Sequence, residues 1–175
     1  MEIRSIGGVL AQGRKVTGYV AVFNSETDLG EFFERIAPGA FRSTLAAGRN
    51  IRALYNHNPS DVLGTTQART LELREDDKGL AFSLELPDTT VGRDVAELVR
   101  RGDVSGCSFG FRVNKGGDKW EIRSGVSIRT LTDVMLAEVT LTADPAYADT
   151  ELALRSMGFC DAYRDNRALW LETVR

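Results

Sequence analysis

TLELREDDKGLAFSLEL, residues 70–86, contains two runs in which apolar and polar side chains alternate. Leu71 and Leu73 alternate with polar residues in the first run, and Leu80, Phe82 and Leu84 recur at every other position in the second. A period of two places one apolar face on a strand, and the charged, glycine-containing EDDKG between the runs is typical of a turn. The stretch therefore predicts an antiparallel β-hairpin in a β-rich fold.

Working outward from this hairpin, the patterns on both sides predict further strands and a few helices. The predicted strands lie at 15–23, 31–36, 51–57, 105–113, 119–123, 127–130 and 134–142. The predicted helices lie at 40–47, from a cap at Thr89 or Thr90 to Arg101, and at 161–174. We expect an α+β, β-rich single domain with about seven to nine strands and two or three helices. Its strands would form a curled antiparallel sheet or a barrel.

Composition and charge argue against several classes of function. The 175-residue chain has a formal net charge of -3 with its charges interspersed, which argues against a nucleic-acid partner. It has no apolar run of about 20 residues and no secretory signal, so we expect a cytoplasmic protein without a membrane partner. Two cysteines without zinc-site spacing and a single histidine argue against a zinc centre, whereas counting leaves a carboxylate site for magnesium or calcium open. We expect no metal and no cofactor.

The stretch SGCSFGFRV, residues 105–113, carries the leading candidate for chemistry. In a strand, alternate side chains point to opposite faces, so the cysteine and the aromatic residues share a core face. The other face carries Gly106, Ser108, Gly110 and Arg112. The Ser108 hydroxyl thus stands between two residues without side chains, where a peptide could lie unobstructed. The alternative is that the glycines mark a bulge and that Ser108 merely faces solvent.

His57 and Glu138 are the candidate partners of this serine. His57 is the only histidine, and it ends a predicted strand where Pro59 fixes the transition to a loop. Any serine–histidine mechanism must use it, although a surface or capping histidine is the alternative. Glu138 is an acid among apolar residues on a predicted central strand, where an unpaired carboxylate is costly. Its partner would be His57, which completes a triad, or an arginine such as Arg112.

Four sequence blocks, taken in order, resemble the prohead protease family of tailed bacteriophages, relatives of the herpesvirus capsid protease assemblin. The resemblance covers about residues 15–155. The blocks are GYVAVFNSETDLGEFFERIAPGAF (18–41), LYNHNPSDVLG (54–64), VSGCSFGF (104–111) and LAEVTLTADPAY (136–147). Each block is weak evidence alone, but their combination in this order is specific.

The resemblance implies a herpesvirus-protease-like fold and a serine endopeptidase that acts inside the phage procapsid in the host cytoplasm. Its partners would be the major capsid protein and the scaffold: it would cut scaffold and/or the capsid protein's scaffolding segment, and also itself. Self-association into a homo-oligomer is left open. The protease domain would span 15–157, between a flexible N-terminal segment, 1–14, and a C-terminal helical segment, 158–175.

The resemblance also assigns roles to residues. The family's histidine and serine carry over onto His57 and Ser108, and Glu138 follows as the third catalytic member. The candidates for the substrate groove and the oxyanion hole, the group of donors that stabilises the charged carbonyl oxygen, are Gly106, Gly110 and Arg112.

Two other functions compete with the serine protease. One is a non-catalytic capsid-assembly or tail-tube-like β protein, against which the presence of all three polar residues counts. The other is a cysteine hydrolase built on Cys107 and His57. The alternation places Cys107 on the core face, where a cysteine usually behaves as a small packed apolar residue.

Overall fold

The computed structural model describes residues 10–143, which form twelve β-strands and two α-helices. The strands are β1 (Leu10–Gln12), β2 (Lys15–Val22), β3 (Thr27–Asp28), β4 (Phe33–Ile36), β5 (Arg52–Tyr55), β6 (Asn58–Thr65), β7 (Leu71–Glu75), β8 (Gly79–Glu85), β9 (Gly106–Val113), β10 (Asp118–Arg123), β11 (Val126–Leu131) and β12 (Val134–Thr142). The helices are α1 (Arg42–Ala46) and α2 (Thr90–Arg101). The predicted α+β, β-rich single-domain class is confirmed.

The strands form three four-stranded sheets. The first has the order β1-β2-β8-β7, the second β10-β11-β4-β3, and the third, which we call the site sheet, β6-β5-β12-β9. Within the described part of the chain none of them closes into a barrel. Two pairs, β4 with β11 and β5 with β12, are parallel, which the expectation of an antiparallel sheet missed. Alternation within a strand determines its faces but not its neighbours, so the sequence pattern could not predict these long-range pairings.

The predicted hairpin at 70–86 is formed by β7 and β8. Leu71 pairs with Leu84 and Leu73 with Phe82, so the apolar positions of both strands share one face. Asp76 closes the turn, because its carboxylate accepts hydrogen bonds from the backbone N–H groups of Lys78 and Gly79, two and three residues further on. The predicted strand number was too low, because β1 and β3 are only three and two residues long and β6 was not recognised.

Helix α2 has the ends that its sequence predicts. The Thr89 hydroxyl accepts a hydrogen bond from the Gly92 N–H at 3.1 Å, and Gly102 ends the helix with a φ of 83°. Such a left-handed residue is commonly glycine after a helix. With 12 residues, α2 is the longest helix described, and no helix in 10–143 is long and apolar enough to cross a bilayer.

The domain boundaries predicted from the sequence remain largely untested. Strand β1 falls inside the segment predicted to be flexible, 1–14, and pairs with β2. The predicted C-terminal helix and the boundary between 157 and 158 lie outside the described residues.

Three phenylalanine rings pack together on the core face of β9, two from the strand itself and one from Phe41. The ring centroids of Phe41 and Phe109 are 5.6 Å apart in an edge-on arrangement, and those of Phe109 and Phe111 are 5.2 Å apart. Contacts of this kind contribute about 0.5–1.5 kcal/mol beyond the area that they bury. They fix one face of β9, and the opposite face of the same strand carries Ser108.

Candidate active site

His57 is the second residue of a two-residue turn between β5 and β6. Tyr55 pairs with Asn58 across the hairpin, and the residues between them, Asn56 and His57, have φ values of 47° and 57°. Positive φ at both positions is typical of the type I′ turn, whose twist matches that of a β-hairpin. The Asn56 N–H also donates to the Leu141 carbonyl oxygen on β12 at 3.0 Å. The turn therefore holds the His57 side chain beside the central strand of the site sheet.

The sequence prediction for this hairpin was wrong at one end. The strand predicted at 51–57 stops at Tyr55, and Pro59, which was expected to begin a loop, lies inside β6. Because β6 is an edge strand of the site sheet, the missing N–H of Pro59 is tolerated there. The Asn58 side chain braces the start of β6 by accepting from the Ser60 N–H and donating to Asp61.

Glu138 reaches the His57 side of the sheet because β12 contains a β-bulge. Leu136 pairs with Phe111 and Glu138 with Gly110, so Ala137 is an extra residue with no partner on β9. Uninterrupted alternation would have turned Glu138 toward the core together with Leu136. The extra residue reverses the phase, and bulges are known to re-aim side chains in this way.

The three predicted site residues form one chain of hydrogen bonds. Glu138 Oε1 lies 2.6 Å from His57 Nδ1, and His57 Nε2 lies 2.8 Å from Ser108 Oγ. Ser108 is directly opposite Thr140 and Glu138 is opposite Gly110, so the serine and the acid are diagonal neighbours across β9 and β12. Diagonal side chains are about 7–8 Å apart, a separation that an imidazole ring with one hydrogen bond at each end can span.

The nucleophile candidate is more enclosed than the sequence suggested. Ser108 is fully buried, and burial extends over both faces of β9 from Gly106 to Phe111. The expectation of an exposed serine on an open strip was therefore wrong. One face of the strand packs on the aromatic core, and the other lies beneath the His57–Glu138 pair. His57 is the best-exposed member, with 16% of its side chain accessible.

The other predicted groove residues divide into two groups. Gly106 and Gly110 lie on the Ser108 face, opposite Thr142 and Glu138 respectively, and both are buried. Arg112 lies beyond the bulge and is exposed, and it takes no part in the chain of hydrogen bonds. The alternative in which Arg112 pairs with Glu138 is wrong, because the Glu138 carboxylate pairs with His57.

Cys107 lies on the opposite face of β9, inside the core. Burial raises the pKa of the Cys107 thiol to about 12, although backbone hydrogen bonds with Ser108 and Thr140 partly oppose this shift. The thiolate is the reactive form of cysteine, so a raised pKa and complete burial make Cys107 a poor candidate for the nucleophile. Within residues 10–143, no group of three or more His, Cys, Asp or Glu side chains is placed to hold a metal ion.

One residue at the site was missed by the sequence interpretation. Thr140 is 1% exposed and directly opposite Ser108, and its hydroxyl is the one buried side-chain polar atom in the described residues without a hydrogen-bond partner. A signal was present, because Thr140 follows Glu138 by two residues and so shares its strand face. The bulge at Ala137 concealed that signal, because it obscures which side of β12 faces Ser108.

A carboxylate, an imidazole and a serine hydroxyl in series are the arrangement that defines serine hydrolases of the triad type. A comparison with protein-family models matches residues 1–162 to the Caudovirus prohead serine protease family. The chain belongs to this family and is a serine peptidase. Searches of curated proteins and of solved structures found no match. Family membership favours the peptidase over the non-catalytic capsid-assembly or tail-tube-like alternative.

Proposed function

We propose that Ser108, His57 and Glu138 are the catalytic triad of this peptidase, with Ser108 as nucleophile. The observation that carries the proposal is the unbroken series of contacts, 2.6 Å from Glu138 to His57 and 2.8 Å from His57 to Ser108. The buried position of Glu138 supports the same assignment, since a carboxylate with so little solvent needs a partner that can share its charge.

Each residue has a distinct task in the proposed reaction. The Glu138 carboxylate accepts a hydrogen bond from the Nδ1–H group of His57, which keeps the proton on Nδ1 and leaves the Nε2 lone pair facing the Ser108 hydroxyl. Ser108 Oγ then bonds to the scissile carbonyl carbon, its proton passes to Nε2, and the C=O π pair moves onto the carbonyl oxygen. When the C–N bond breaks, Nε2 gives that proton to the departing amine. Water repeats the sequence and releases the acyl group from Ser108.

Access to Ser108 is a necessary part of this proposal. Because Ser108 is fully buried, a substrate carbonyl can reach its Oγ only if the side chains that cover it move aside. The Asn56–His57 turn is the part of the site nearest the surface: Asn56 is exposed and His57 is partly exposed. Gly106 and Gly110 add no side chain that would block the approach on either side of Ser108.

The proposed biological substrates follow from family membership. We infer that the enzyme acts inside the procapsid in the host cytoplasm and cleaves scaffold and/or the scaffolding segment of the major capsid protein. Self-cleavage, a homo-oligomeric state and a relationship to herpesvirus assemblin remain predictions from the sequence resemblance.

The decisive experiment compares Ser108→Ala with Ser105→Ala during co-expression with the capsid and scaffold proteins. Ser105 is an exposed serine three residues away, so its loss controls for removal of a hydroxyl from the same segment. We expect Ser105→Ala to cleave like the wild type and Ser108→Ala to leave the substrates intact. Equal cleavage by both variants would disprove the assignment of Ser108. Mass spectrometry of the purified wild type over time tests self-cleavage, which must also stop in Ser108→Ala.

A further inference from the structure

The unpaired hydroxyl of Thr140 stands out from the other buried threonine side chains whose contacts are described. Thr44 is also buried, but its hydroxyl donates to the Val134 carbonyl oxygen at 2.6 Å and accepts from the Leu136 N–H at 3.1 Å. Thr140 Oγ1 has neither kind of partner. A buried polar group without a hydrogen bond costs about 1–3 kcal/mol, and valine would fill the same volume without that cost. The hydroxyl therefore destabilises the free enzyme.

The location of Thr140 indicates what its hydroxyl could serve. Thr140 and Ser108 are a directly opposed pair on β12 and β9, and side chains so placed have Cβ atoms about 4.5–5.5 Å apart. Glu138 is two residues before Thr140 with no bulge between them, so both side chains share the face on which His57 bonds to Ser108. A substrate carbonyl that reaches Ser108 Oγ therefore also comes close to the Thr140 hydroxyl.

We propose that Thr140 is a further catalytic residue, whose Oγ1–H donates a hydrogen bond to the negatively charged oxygen of the tetrahedral intermediate. This inference rests on the proposed catalytic role of Ser108. Such a donor is useful where charge develops only in the transition state, and it needs to be in place before reaction. The neighbours of Ser108 on its own face are Gly106 and Gly110, which have no side chain to donate. The hydroxyl directly opposite is thus the side-chain donor best placed for this oxygen.

The test uses the full chain and a fluorophosphonate probe, because this reagent requires no knowledge of the natural substrate. Ser108 Oγ forms a bond to phosphorus, the P–F bond breaks, fluoride leaves and the serine proton passes to His57 Nε2. The phosphoryl oxygen then occupies the position of the substrate's charged oxygen. The labelling rate at Ser108, resolved into a maximal rate and a probe affinity, measures stabilisation of that oxygen.

Three variants separate a catalytic from a structural threonine. We expect Thr140→Val to lower the maximal labelling rate by about 10²-fold or more with little change in probe affinity, since losing one such donor costs about 10²–10³-fold. Thr140→Ser, which keeps the hydroxyl, should restore most of the rate. The melting temperature of Thr140→Val should not fall. Thr44→Val should behave in the opposite way, with a melting temperature several degrees lower and labelling like the wild type.

Each contrary outcome has a definite meaning. Wild-type labelling in Thr140→Val, or equal loss in the valine and serine variants, overturns the role of the hydroxyl. A fall in the melting temperature of Thr140→Val as large as that of Thr44→Val shows that the hydroxyl has a structural partner, and it also overturns the proposal. If the wild type is not labelled, or if Ser108→Ala is labelled equally, the triad itself fails. Ser108-dependent labelling that is insensitive to Thr140→Val removes only this inference.

Discussion

Leu136 and Glu138 are two residues apart on β12 yet face opposite sides of the site sheet. Leu136 belongs to the hydrophobic core, whereas the Glu138 carboxylate forms a hydrogen bond with His57. The bulge at Ala137 produces this reversal, and it allows a strand that supplies Val139 and Leu141 to the core to present an acid to the imidazole. The same local irregularity thus satisfies core packing and places the third member of the proposed triad.

The role of Glu138 can be tested by replacing it with glutamine. Glu138→Gln keeps the size of the side chain but removes the negative charge that orients His57 and stabilises its protonated form. We expect the rate at which Ser108 is labelled by the fluorophosphonate to fall by roughly 10²–10⁴-fold, as reaction does in triads that lose their acid, while the chain stays folded. The rate of fluorophosphonate labelling at Ser108 and circular dichroism measure the two effects.

Glu72→Gln is a suitable control, because it makes the same change at an exposed position on β7. Its labelling rate should match the wild type. If Glu138→Gln also labels at the wild-type rate, the acid has a structural role only.

The sequence predicted the regular parts of this molecule better than the irregular ones. The hairpin at 70–86 and helix α2 follow from local periodicity and capping, both of which a short segment contains in full. The site depends on a type I′ turn and a β-bulge, each of which interrupts the pattern on which strand prediction rests. Alternation could identify Ser108 as a candidate, but it could not show that a second face of β9 is also covered.

The sequence therefore singled out candidate residues for the site, but it did not predict how they are arranged. His57 could be selected because it is the only histidine, and Glu138 because its apolar neighbours make an acid conspicuous. The signal for Thr140 was weaker: its two-residue spacing from Glu138 places both side chains on one strand face, but a threonine on a buried strand is ordinary. Its importance becomes visible only when the register places it opposite Ser108 and its hydroxyl is found without a partner.

The backbone of the His57 turn makes a second prediction. Asn56 has a φ of 47°, a left-handed conformation that asparagine and glycine tolerate but that a β-branched residue resists by about 1–2 kcal/mol. Asn56→Val should therefore lower the melting temperature by about 2–8 °C for a chain of this size, and should slow labelling of Ser108 because His57 is displaced. Thermal unfolding and fluorophosphonate labelling measure these changes.

Asn56→Gly is the matched variant, because glycine is common in type I′ turns. It should keep both the melting temperature and the labelling rate near those of the wild type. Equal behaviour of the valine and glycine variants would show that the conformation of the turn contributes neither to stability nor to the placement of His57.

We expect Asp133 to contribute to stability in a way that depends on pH. The Ser43 hydroxyl donates to this carboxylate, and together with Asn114 it lowers the pKa of Asp133 in the folded protein. A carboxyl group with a depressed pKa stabilises the fold above its unfolded pKa of about 4, and this stability is lost as the pH falls through the lower, folded value. Asp133→Asn should therefore have a smaller loss of melting temperature between pH 7 and pH 3.

The losses of melting temperature on acidification should differ between Asp133→Asn and the wild type by a few degrees at most. Solvent screens the Asp133 carboxylate, because it is only partly buried. Asp94→Asn provides the comparison, since it removes an exposed carboxylate on α2. Its loss of melting temperature on acidification should match the wild type. If Asp133→Asn and the wild type lose the same amount, the Ser43 contact does not favour the charged form of Asp133.

Cys107 provides a test that distinguishes the two nucleophiles. Because burial raises the pKa of its thiol to about 12, iodoacetamide at neutral pH should leave Cys107 unmodified in the folded protein and should not slow labelling of Ser108. The same protein unfolded in guanidinium chloride should be alkylated at Cys107, which peptide mapping by mass spectrometry can locate. Cys107→Ala should keep its labelling at Ser108, since the change removes a packed sulfur from the face of β9 opposite the serine. Rapid alkylation of Cys107 in the folded protein, located by the same peptide mapping and accompanied by a parallel loss of peptidase activity, would instead identify the Cys107 thiol as the reacting group.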